Sequence, residues 1–248
     1  MQSKIAIKVL CIIPCYNEEF RLNTESFFQF EKKNPNIHFL FVDDGSQDST
    51  SIIIQELCHK MINSASVILN KNVGKGEAIR SGVLAYRDNL KKYEFIGYWD
   101  ADLSTPLDEL NDLLAVIQKN KNIKFIMGTR FARLGAHIVR KRSRHYLGRL
   151  FATVVSILIR EPVYDTQCGA KLIASSHAMQ LFKDKFISKW LFDVELIIRL
   201  KMSYPNFHEM IFEHPLTTWN DVAGSKLRFK DFLRAPIELL MIWNAYRN

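Results

Sequence analysis

Residues Gly97 to Pro106 read GYWDADLSTP, a stretch that joins an apolar segment directly to a pair of carboxylates. The segment Phe95–Trp99 is typical of a buried strand that ends where polar residues begin. Residues i and i+2 of an extended chain point to the same side, so Asp100 and Asp102 can face one point in space. Two neighbouring carboxylates repel each other unless a cation or a proton lies between them. The stretch alone leaves two interpretations, a metal site or a turn that leads through Pro106 into a helix.

The composition is that of a basic globular protein. The chain has 248 residues, of which 48% are hydrophobic, so we expect one large domain with a substantial core. Lys and Arg exceed Asp and Glu by 34 − 26 = 8, which favours an anionic partner: a phosphate-bearing substrate, an anionic membrane surface or nucleic acid. The cysteines lack zinc-ligand spacing and indicate buried thiols in a reducing compartment. No segment has the pattern of a secretory signal or a membrane span, so we expect a cytoplasmic protein.

Strands and helices alternate through the first half of the chain. Apolar runs predict strands at about 9–13, 37–42, 67–69, 95–99 and 125–127. The segments between them predict helices at about 18–33, 48–62, 76–90 and 107–118. This alternation predicts an α/β fold with a mostly parallel sheet that helices cover on both faces. In such a sheet, ligands bind beyond the carboxyl ends of the strands.

The five predicted strands all end in charged, small or glycine-rich residues. In chain order these ends read IPCYNEE, VDDGSQDST, NKNVGKGEA, WDADLSTP and MGTRFARLG. Ordinary loop composition explains one or two of them. Five at one edge of a sheet predict a site for a polyphosphate ligand.

The pattern changes after residue 135, and we divide the predicted domain there into halves 1–135 and 136–248. The second half begins with a basic cluster between Arg140 and Arg149, which overlaps an apolar stripe at helical spacing from Leu147 to Leu158. A second apolar stripe lies within Phe229–Tyr246, where Pro236 starts or kinks the helix. Such stripes either pack in the core or lie at a membrane interface with basic residues against lipid headgroups.

Eight short motifs occur in an order that resembles a known enzyme family. They are IPCYNEE, VDDGSQDST, NVGKGEAIRSG, DADLSTP, GTR, DTQCGAKL, FDVEL and GSKL, and they extend from about Ile12 to Leu227. The set resembles the inverting GT-A glycosyltransferases of the polyprenyl-phosphate type, in particular dolichyl-phosphate glucosyltransferases and dolichol-phosphate mannose synthases. The resemblance implies a GT-A-like domain that transfers a hexose with inversion to a polyprenyl or dolichyl phosphate. The implied donor is UDP-glucose, with GDP-mannose as an alternative, bound by the first half; the second half would bind the acceptor.

The resemblance assigns one group of residues to the nucleotide-sugar donor. These residues are Pro14, Tyr16, Glu18, Asp44, Lys75, Asp100 and Lys226. Tyr16 would offer a ring face to the base, Glu18 would accept from ribose hydroxyls, and Asp44 would accept a base N–H. Lys75 lies on a donor loop, and Lys226 on a loop that closes over the diphosphate. Glu18 could instead only cap a helix.

The pair Asp100 and Asp102 matches the DxD motif of this family. The motif implies Mg²⁺ or Mn²⁺, held by hard oxygen ligands and bridging to the donor diphosphate. The cation would offset the charge that builds on the leaving nucleoside diphosphate, which makes Asp102 a catalytic residue. Some relatives carry an amide ligand two residues further on, where this chain has Ser104, a weaker ligand.

Two further predicted catalytic residues concern the acceptor. Arg130 matches an arginine that binds the acceptor phosphate, and either Arg142 or Arg144 matches a second one. A phosphate oxygen is already anionic, so it needs cations that position it more than it needs a base. A hydroxyl acceptor on a glycan or glycolipid is the first alternative; it would need a base, and Asp193 is the residue placed for it.

A nucleic-acid-binding module is the second alternative, and only the net charge favours it. The basic residues accompany an acidic metal motif, and no nucleic-acid motif is present, so we expect no nucleic-acid partner. Relatives often append transmembrane helices, and none is predicted here. We therefore expect a peripheral protein on the cytoplasmic face of a membrane, in contact through its two apolar stripes.

Overall fold

The computed structural model describes residues 7–140, 142–222 and 229–247, with the backbone alone at 142 and 229–233. Two predicted site residues are affected. Lys226, the residue expected to close over the donor diphosphate, lies outside the described residues, and so does the side chain of Arg142.

A seven-stranded sheet forms the centre of the fold. The strands of the described residues are β1 (Val9–Cys15), β2 (Ile37–Asp43), β3 (Ser64–Ile68), β4 (Phe95–Trp99), β5 (Phe125–Thr129), β6 (His137–Val139), β7 (Ala170–Ala174), β8 (Ile211–Pro215) and β9 (Thr218–Asn220). The order in the main sheet is β3-β2-β1-β4-β7-β5-β8. Strand β7 is antiparallel to β4 and β5, and the other neighbours in this sheet are parallel. Strands β6 and β9 form a separate parallel pair.

Helices cover both faces of the main sheet. They are α1 (Thr24–Lys33), α2 (Thr50–Lys60), α3 (Lys75–Ala85), α4 (Asp108–Lys119), α5 (Arg142–Ile159), α6 (Ser175–Phe182), α7 (Phe192–Ser203), α8 (Phe207–Met210) and α9 (Phe229–Tyr246). Alternate residues of each strand point to opposite faces. One core packs α3, α5, α6, α7 and α9 against Leu10 and Ile12 of β1. The other packs α1, α2 and α4 against Val9 and Cys11.

The predicted α/β class is confirmed. Some helices and strands begin or end at other residues than predicted. Strand β4 spans the predicted residues. Helix α1 begins at Thr24 rather than at Glu18; residues 19–21 form a separate turn, in which the Glu18 carbonyl accepts from the N–H groups of Arg21 and Leu22. Asn23 then caps the helix by accepting from the N–H of Ser26 at 3.0 Å.

Both predicted halves contribute to the one main sheet. Strands β7 and β8 come from 136–248, and β7 lies between β4 and β5 of the first half. The carboxyl ends of β1, β2, β3, β4 and β5 therefore share one edge with the amino end of β7, and the DTQCGAKL motif reaches that edge. The division at residue 135 stays a prediction.

Candidate active site

The paired carboxylates lie at the carboxyl end of β4, near the middle of the sheet. Leu103 has a φ of 51°, a left-handed conformation that turns the chain back. The turn lets the N–H of Ser104 donate to Oδ1 of Asp102 at 3.0 Å. Ser104, which stands where some relatives have an amide ligand, is therefore a partner of Asp102 in this chain.

Asp100 lies between a lysine and a glycine. The ammonium of Lys75, the first residue of α3, forms an ion pair with Oδ1 of Asp100. Gly169 lies so close to the same carboxylate that a Cβ at this position would overlap it. Burial opposes ionisation of Asp100, but the positive charges of Lys75, Lys171 and Arg130 lower its pKa. The residue at 169 therefore has to lack a side chain for Asp100 to occupy this place.

Asp102 has a second cation nearby. Nη1 of Arg21 lies 3.8 Å from Oδ2 of Asp102. The same guanidinium donates from Nε and Nη2 to both carboxylate oxygens of Glu18, at 2.8 and 2.7 Å. Burial and the like charge of Asp100 raise the pKa of Asp102. Glu18, predicted as a ribose acceptor, thus also orients an arginine toward the DxD pair.

The two carboxylates fit a hard divalent cation. Burial and then the like charge of Asp100 raise the pKa of Asp102, and a cation between the two carboxylates would offset their repulsion. Within the described residues, no group of three His, Cys, Asp or Glu could hold a metal. A cation at Asp100 and Asp102 would therefore take its other ligands from water and a diphosphate, as Mg²⁺ commonly does. Oxygen ligands favour Mg²⁺ or Mn²⁺ over softer metals.

A cleft of about 290 Å³ opens beside the carboxyl ends of β1, β2 and β3. Tyr16 and Asp43 line it, together with the 45–47 and 68–72 segments. Asp43 accepts from the backbone N–H of Ser46 at 3.0 Å and from the hydroxyl of Ser51 at 2.7 Å. Pro14 is in β1, one residue before its end. The cleft thus has one aromatic side chain and loops held by a carboxylate.

Asp44 is buried behind this cleft. Its two oxygens accept from the N–H groups of Val73 and Gly74 at 2.7 and 2.9 Å. Burial raises the pKa of Asp44, although these two hydrogen bonds oppose the shift. Asp44 therefore fixes the loop that leads into α3 and so the position of Lys75.

A buried ion pair forms directly after the carboxyl end of β5. Nε and Nη2 of Arg130 donate to the two oxygens of Asp165 at 2.6 and 2.7 Å. Burial opposes ionisation of Asp165, but the charge and hydrogen bonds of Arg130 lower its pKa to about 2. Glu213 accepts in turn from the backbone N–H groups of Tyr164 and Asp165. Asp165 belongs to the DTQCGAKL motif, but its role as the partner of Arg130 could not be read from the sequence.

The other arginines near Arg130 differ in their pairing. Nη1 of Arg144 donates to Oδ1 of Asp221 at 2.7 Å. Arg140 extends to α5, where its guanidinium lies against Gly148. Burial and the charge of Arg130 lower the pKa of Arg140 to about 10. The sequence analysis placed Arg140 in a basic cluster and gave it no role of its own.

Asp193 lies in a buried polar network. Its Oδ1 is 2.7 Å from Nζ of Lys171 and accepts from the Tyr98 hydroxyl at 2.5 Å. Lys171 is fully buried and Asp193 is 3% exposed. Burial and the charge of Asp193 raise the pKa of Tyr98 well above its usual value. Sequence reasoning missed Lys171, although a lysine inside the apolar strand AKLIA signals a buried partner.

Comparisons with known proteins place this site in a family. Residues 10–187 match the family described as Glycosyl transferase family 2. The chain belongs to glycosyl transferase family 2. The dolichyl-phosphate beta-glucosyltransferase of Dictyostelium discoideum is 32% identical to this glycosyltransferase over 257 residues, which cover 94% of this chain and 75% of the relative. The human enzyme of the same name is 31% identical over 251 residues, covering 95% and 74%.

Solved structures match the fold of this glycosyltransferase at low sequence identity. Glucosyl-3-phosphoglycerate synthase from Mycobacterium tuberculosis, crystallised with UDP, has a TM-score of 0.68 at 15% identity and covers 96% of this chain and 80% of its own. Mannosyl-3-phosphoglycerate synthase from Rubrobacter xylanophilus has a TM-score of 0.68 at 13% identity, and the match covers 96% of this chain and 73% of that synthase. The predicted GT-A architecture is confirmed.

The structure brings the central predicted residues of this glycosyltransferase together. Burial opposes the charge of Lys75, but Asp100, Asp193 and Asp102 raise its pKa. Burial likewise opposes ionisation of Asp100, and Lys75 and Arg130 help to lower its pKa. Arg144 lies further out, against Asp221. The roles assigned to these residues stay predictions, which the variants below test.

The first prediction concerns the metal. Removing divalent cations with EDTA should abolish glycosyl transfer, and Mn²⁺ or Mg²⁺ should restore it, because the charge on the leaving diphosphate needs compensation. Asp102→Ala should lower kcat on the order of 10²-fold or more, as loss of a principal electrostatic stabiliser does. The same variant should weaken Mn²⁺ binding in electron paramagnetic resonance titrations.

Asp108→Asn is the matched control, because Asp108 is an exposed acid on α4, after the DxD loop. Its kcat and Mn²⁺ affinity should stay within about twofold of the wild type, as for surface substitutions in general. Full activity of Asp102→Ala in the presence of EDTA would refute the metal assignment.

Proposed function

We propose that the chain transfers glucose from UDP-glucose to a polyprenyl or dolichyl phosphate with inversion at the anomeric carbon. One observation carries the proposal: Asp193, the acid that a hydroxyl acceptor would need as its base, is buried against Lys171. An acceptor that is already anionic suits this arrangement. The relatives named dolichyl-phosphate beta-glucosyltransferases support glucose as the sugar and dolichyl phosphate as the acceptor.

The donor would occupy the edge formed by β1, β2 and β4. Tyr16 lines the cleft that suits a nucleoside, and Asp100 and Asp102 would hold Mg²⁺ or Mn²⁺ beside the diphosphate. When bound, the cation neutralises charge on the leaving group. The Mycobacterium tuberculosis synthase crystallised with Mn²⁺ and UDP-glucose supports this choice of metal and donor. Lys75 adds a positive charge at the amino end of α3, which itself favours anions.

The acceptor phosphate would supply its own nucleophile. A phosphate monoester has its second pKa near 6, so at neutral pH an anionic oxygen is available. This oxygen attacks the anomeric carbon from the face opposite the diphosphate; the new C–O bond forms as the bond to the leaving group breaks. No proton has to be removed in this step. Arg130, held rigidly by Asp165, would orient the phosphate for in-line attack.

We further propose that α5 and α9 contact the membrane that contains the acceptor. Their exposed apolar side chains are Tyr146, Leu147, Leu150, Val154 and Ile157 on α5, and Ile237, Leu240, Met241 and Trp243 on α9. The two helices touch each other. Within the described ranges, no helix is long and apolar enough to cross a bilayer. Peripheral binding at the cytoplasmic face, with apolar side chains among the lipids, is consistent with a lipid acceptor.

A donor and acceptor panel tests the reaction. With UDP-glucose, release of UDP should require a short polyprenyl phosphate, and GDP-mannose should be a poor substitute. The rate should fall as pH decreases through about 6, because the acceptor dianion becomes a monoanion. Product formation with a polyprenol or a glycan hydroxyl, and none with the phosphate, would favour the hydroxyl-acceptor alternative.

A pair of variants tests the role of Asp193. Asp193→Asn should lower kcat by less than about tenfold, since no base is needed. It should also destabilise the protein by about 3–5 kcal/mol, because Lys171 loses its buried counter-charge. The double variant Lys171→Met with Asp193→Asn should recover most of this stability in urea unfolding. If Asp193 were a general base, its loss would instead lower kcat by about 10²–10⁴-fold.

The two effects on Asp193→Asn can be separated. Its melting temperature and UDP-glucose affinity are measured beside its rate. A loss of kcat above about a thousandfold, in a folded variant that binds UDP-glucose normally, would identify Asp193 as a base and overturn the phosphate acceptor.

Liposome sedimentation tests the membrane surface. The double variant Leu150→Glu with Ile157→Glu should reduce binding to anionic vesicles by at least about tenfold, because charged side chains oppose insertion among lipids. Ile62→Glu is the control: Ile62 is 92% exposed but lies after α2, away from α5 and α9. Equal binding of both variants and the wild type would exclude this surface.

A further inference from the structure

One arginine beside Arg130, Arg140, has no ion-pair partner among the described residues. The guanidinium of Arg140 is half-buried, yet within the described part of the chain it makes no hydrogen bond and no ion pair. A buried charge without a partner is costly. A guanidinium in this situation is available to an anion that arrives from outside the chain.

The neighbouring arginines are already neutralised. Arg130 donates two hydrogen bonds to Asp165, and Arg144 donates one to Asp221. Among the described arginine side chains of this cluster, those of Arg130 and Arg144 have a carboxylate partner and that of Arg140 has none. The like charges of Arg130 and Arg144 repel the Arg140 guanidinium, and an anion among them would offset this repulsion.

Helix α5 makes room for this guanidinium. If Gly148 carried a Cβ, that atom would lie 2.8 Å from Nη2 and 3.2 Å from Nη1 of Arg140. Glycine inside a helix weakens it relative to alanine. At this position it allows the Arg140 side chain to lie directly on the helix backbone, which fixes where the guanidinium is presented.

We propose that Arg140 binds the acceptor phosphate together with Arg130. The inference rests on the proposed function and adds a residue to it. A phosphate dianion between the two guanidiniums would receive charge-assisted hydrogen bonds from Arg140 on its non-attacking oxygens. Arg130 would hold the dianion from the side of Asp100, whose charge acts on this guanidinium. The phosphate would thus be positioned with one oxygen toward the sugar.

Steady-state kinetics with a water-soluble C10 isoprenyl phosphate test the assignment. Arg140→Gln should raise the KM for this acceptor by about 10- to 100-fold, the effect of losing charge-assisted hydrogen bonds. The KM for UDP-glucose should stay within about twofold. Arg140→Lys, which keeps the charge but loses the planar guanidinium, should recover part of the affinity. Arg87→Gln removes the same charge from an exposed site before β4 and should leave both KM values unchanged.

A second variant excludes misfolding as the cause. Gly148→Ala should raise the acceptor KM in the same direction, because the new methyl group displaces the guanidinium. Alanine is the better helix former, so the melting temperature should not fall. Higher acceptor KM in a protein of unchanged stability is a result that a merely structural role of Arg140 does not produce.

Three results would overturn the proposal. The first is an acceptor KM that is unchanged in Arg140→Gln. The second is a raised UDP-glucose KM with a normal acceptor KM, which would move Arg140 to the donor. The third is weaker binding to phosphatidylserine vesicles with a normal acceptor KM, which would make it a lipid headgroup contact. If the wild type transfers no glucose to isoprenyl phosphates, both the proposed function and this inference fail. If the wild type is active and the acceptor KM of Arg140→Gln is unchanged, only this inference fails.

Discussion

The mutual repulsion of two carboxylates at the end of β4 is the constraint on which much of the site depends. Asp100 and Asp102 follow a buried strand, so neither can turn far into solvent. Lys75 forms an ion pair with Asp100, and the guanidinium of Arg21 lies near Asp102. Each of these cations is positioned by a further acid: Asp44 fixes the loop before Lys75, and Glu18 orients Arg21. The arrangement of the strand ends around β4 therefore follows from the need to compensate charge.

The same principle recurs on the other side of the sheet edge. Lys171 lies in the middle of an apolar strand and is tolerated because Asp193 and the carbonyl oxygen of Cys168 satisfy its ammonium group. Arg130 is likewise matched by Asp165 in a two-pronged contact. Buried pairs of this kind add little net stability, but loss of one partner is costly. Their contribution here is to fix the orientation of the groups around the carboxylates.

Apolar patterning and strand-end chemistry in the sequence were enough to predict the fold class, the extent of β4 and the motifs of the site. These patterns did not predict contacts between residues that are distant along the chain. Glu18 was expected to begin a helix, but its contacts with Arg21 and Thr50 hold it in a turn. Asp193 was considered as a base because the sequence cannot show that Lys171 lies beside it. The apolar pattern of a strand such as β7 does not indicate the direction of the strand, so the sequence could not predict its antiparallel placement.

That antiparallel placement affects how the chain can fold. Strands β4 and β5 follow each other in sequence but lie apart in the sheet, with β7 between them. Until residues 170–174 emerge from the ribosome, each of the two strands has an edge with no partner, and exposed edges invite association with other chains. Pairings between distant segments also form slowly. The central part of the sheet is therefore completed late during synthesis, and a chain interrupted before β7 would leave one edge of β4 and both edges of β5 unpaired.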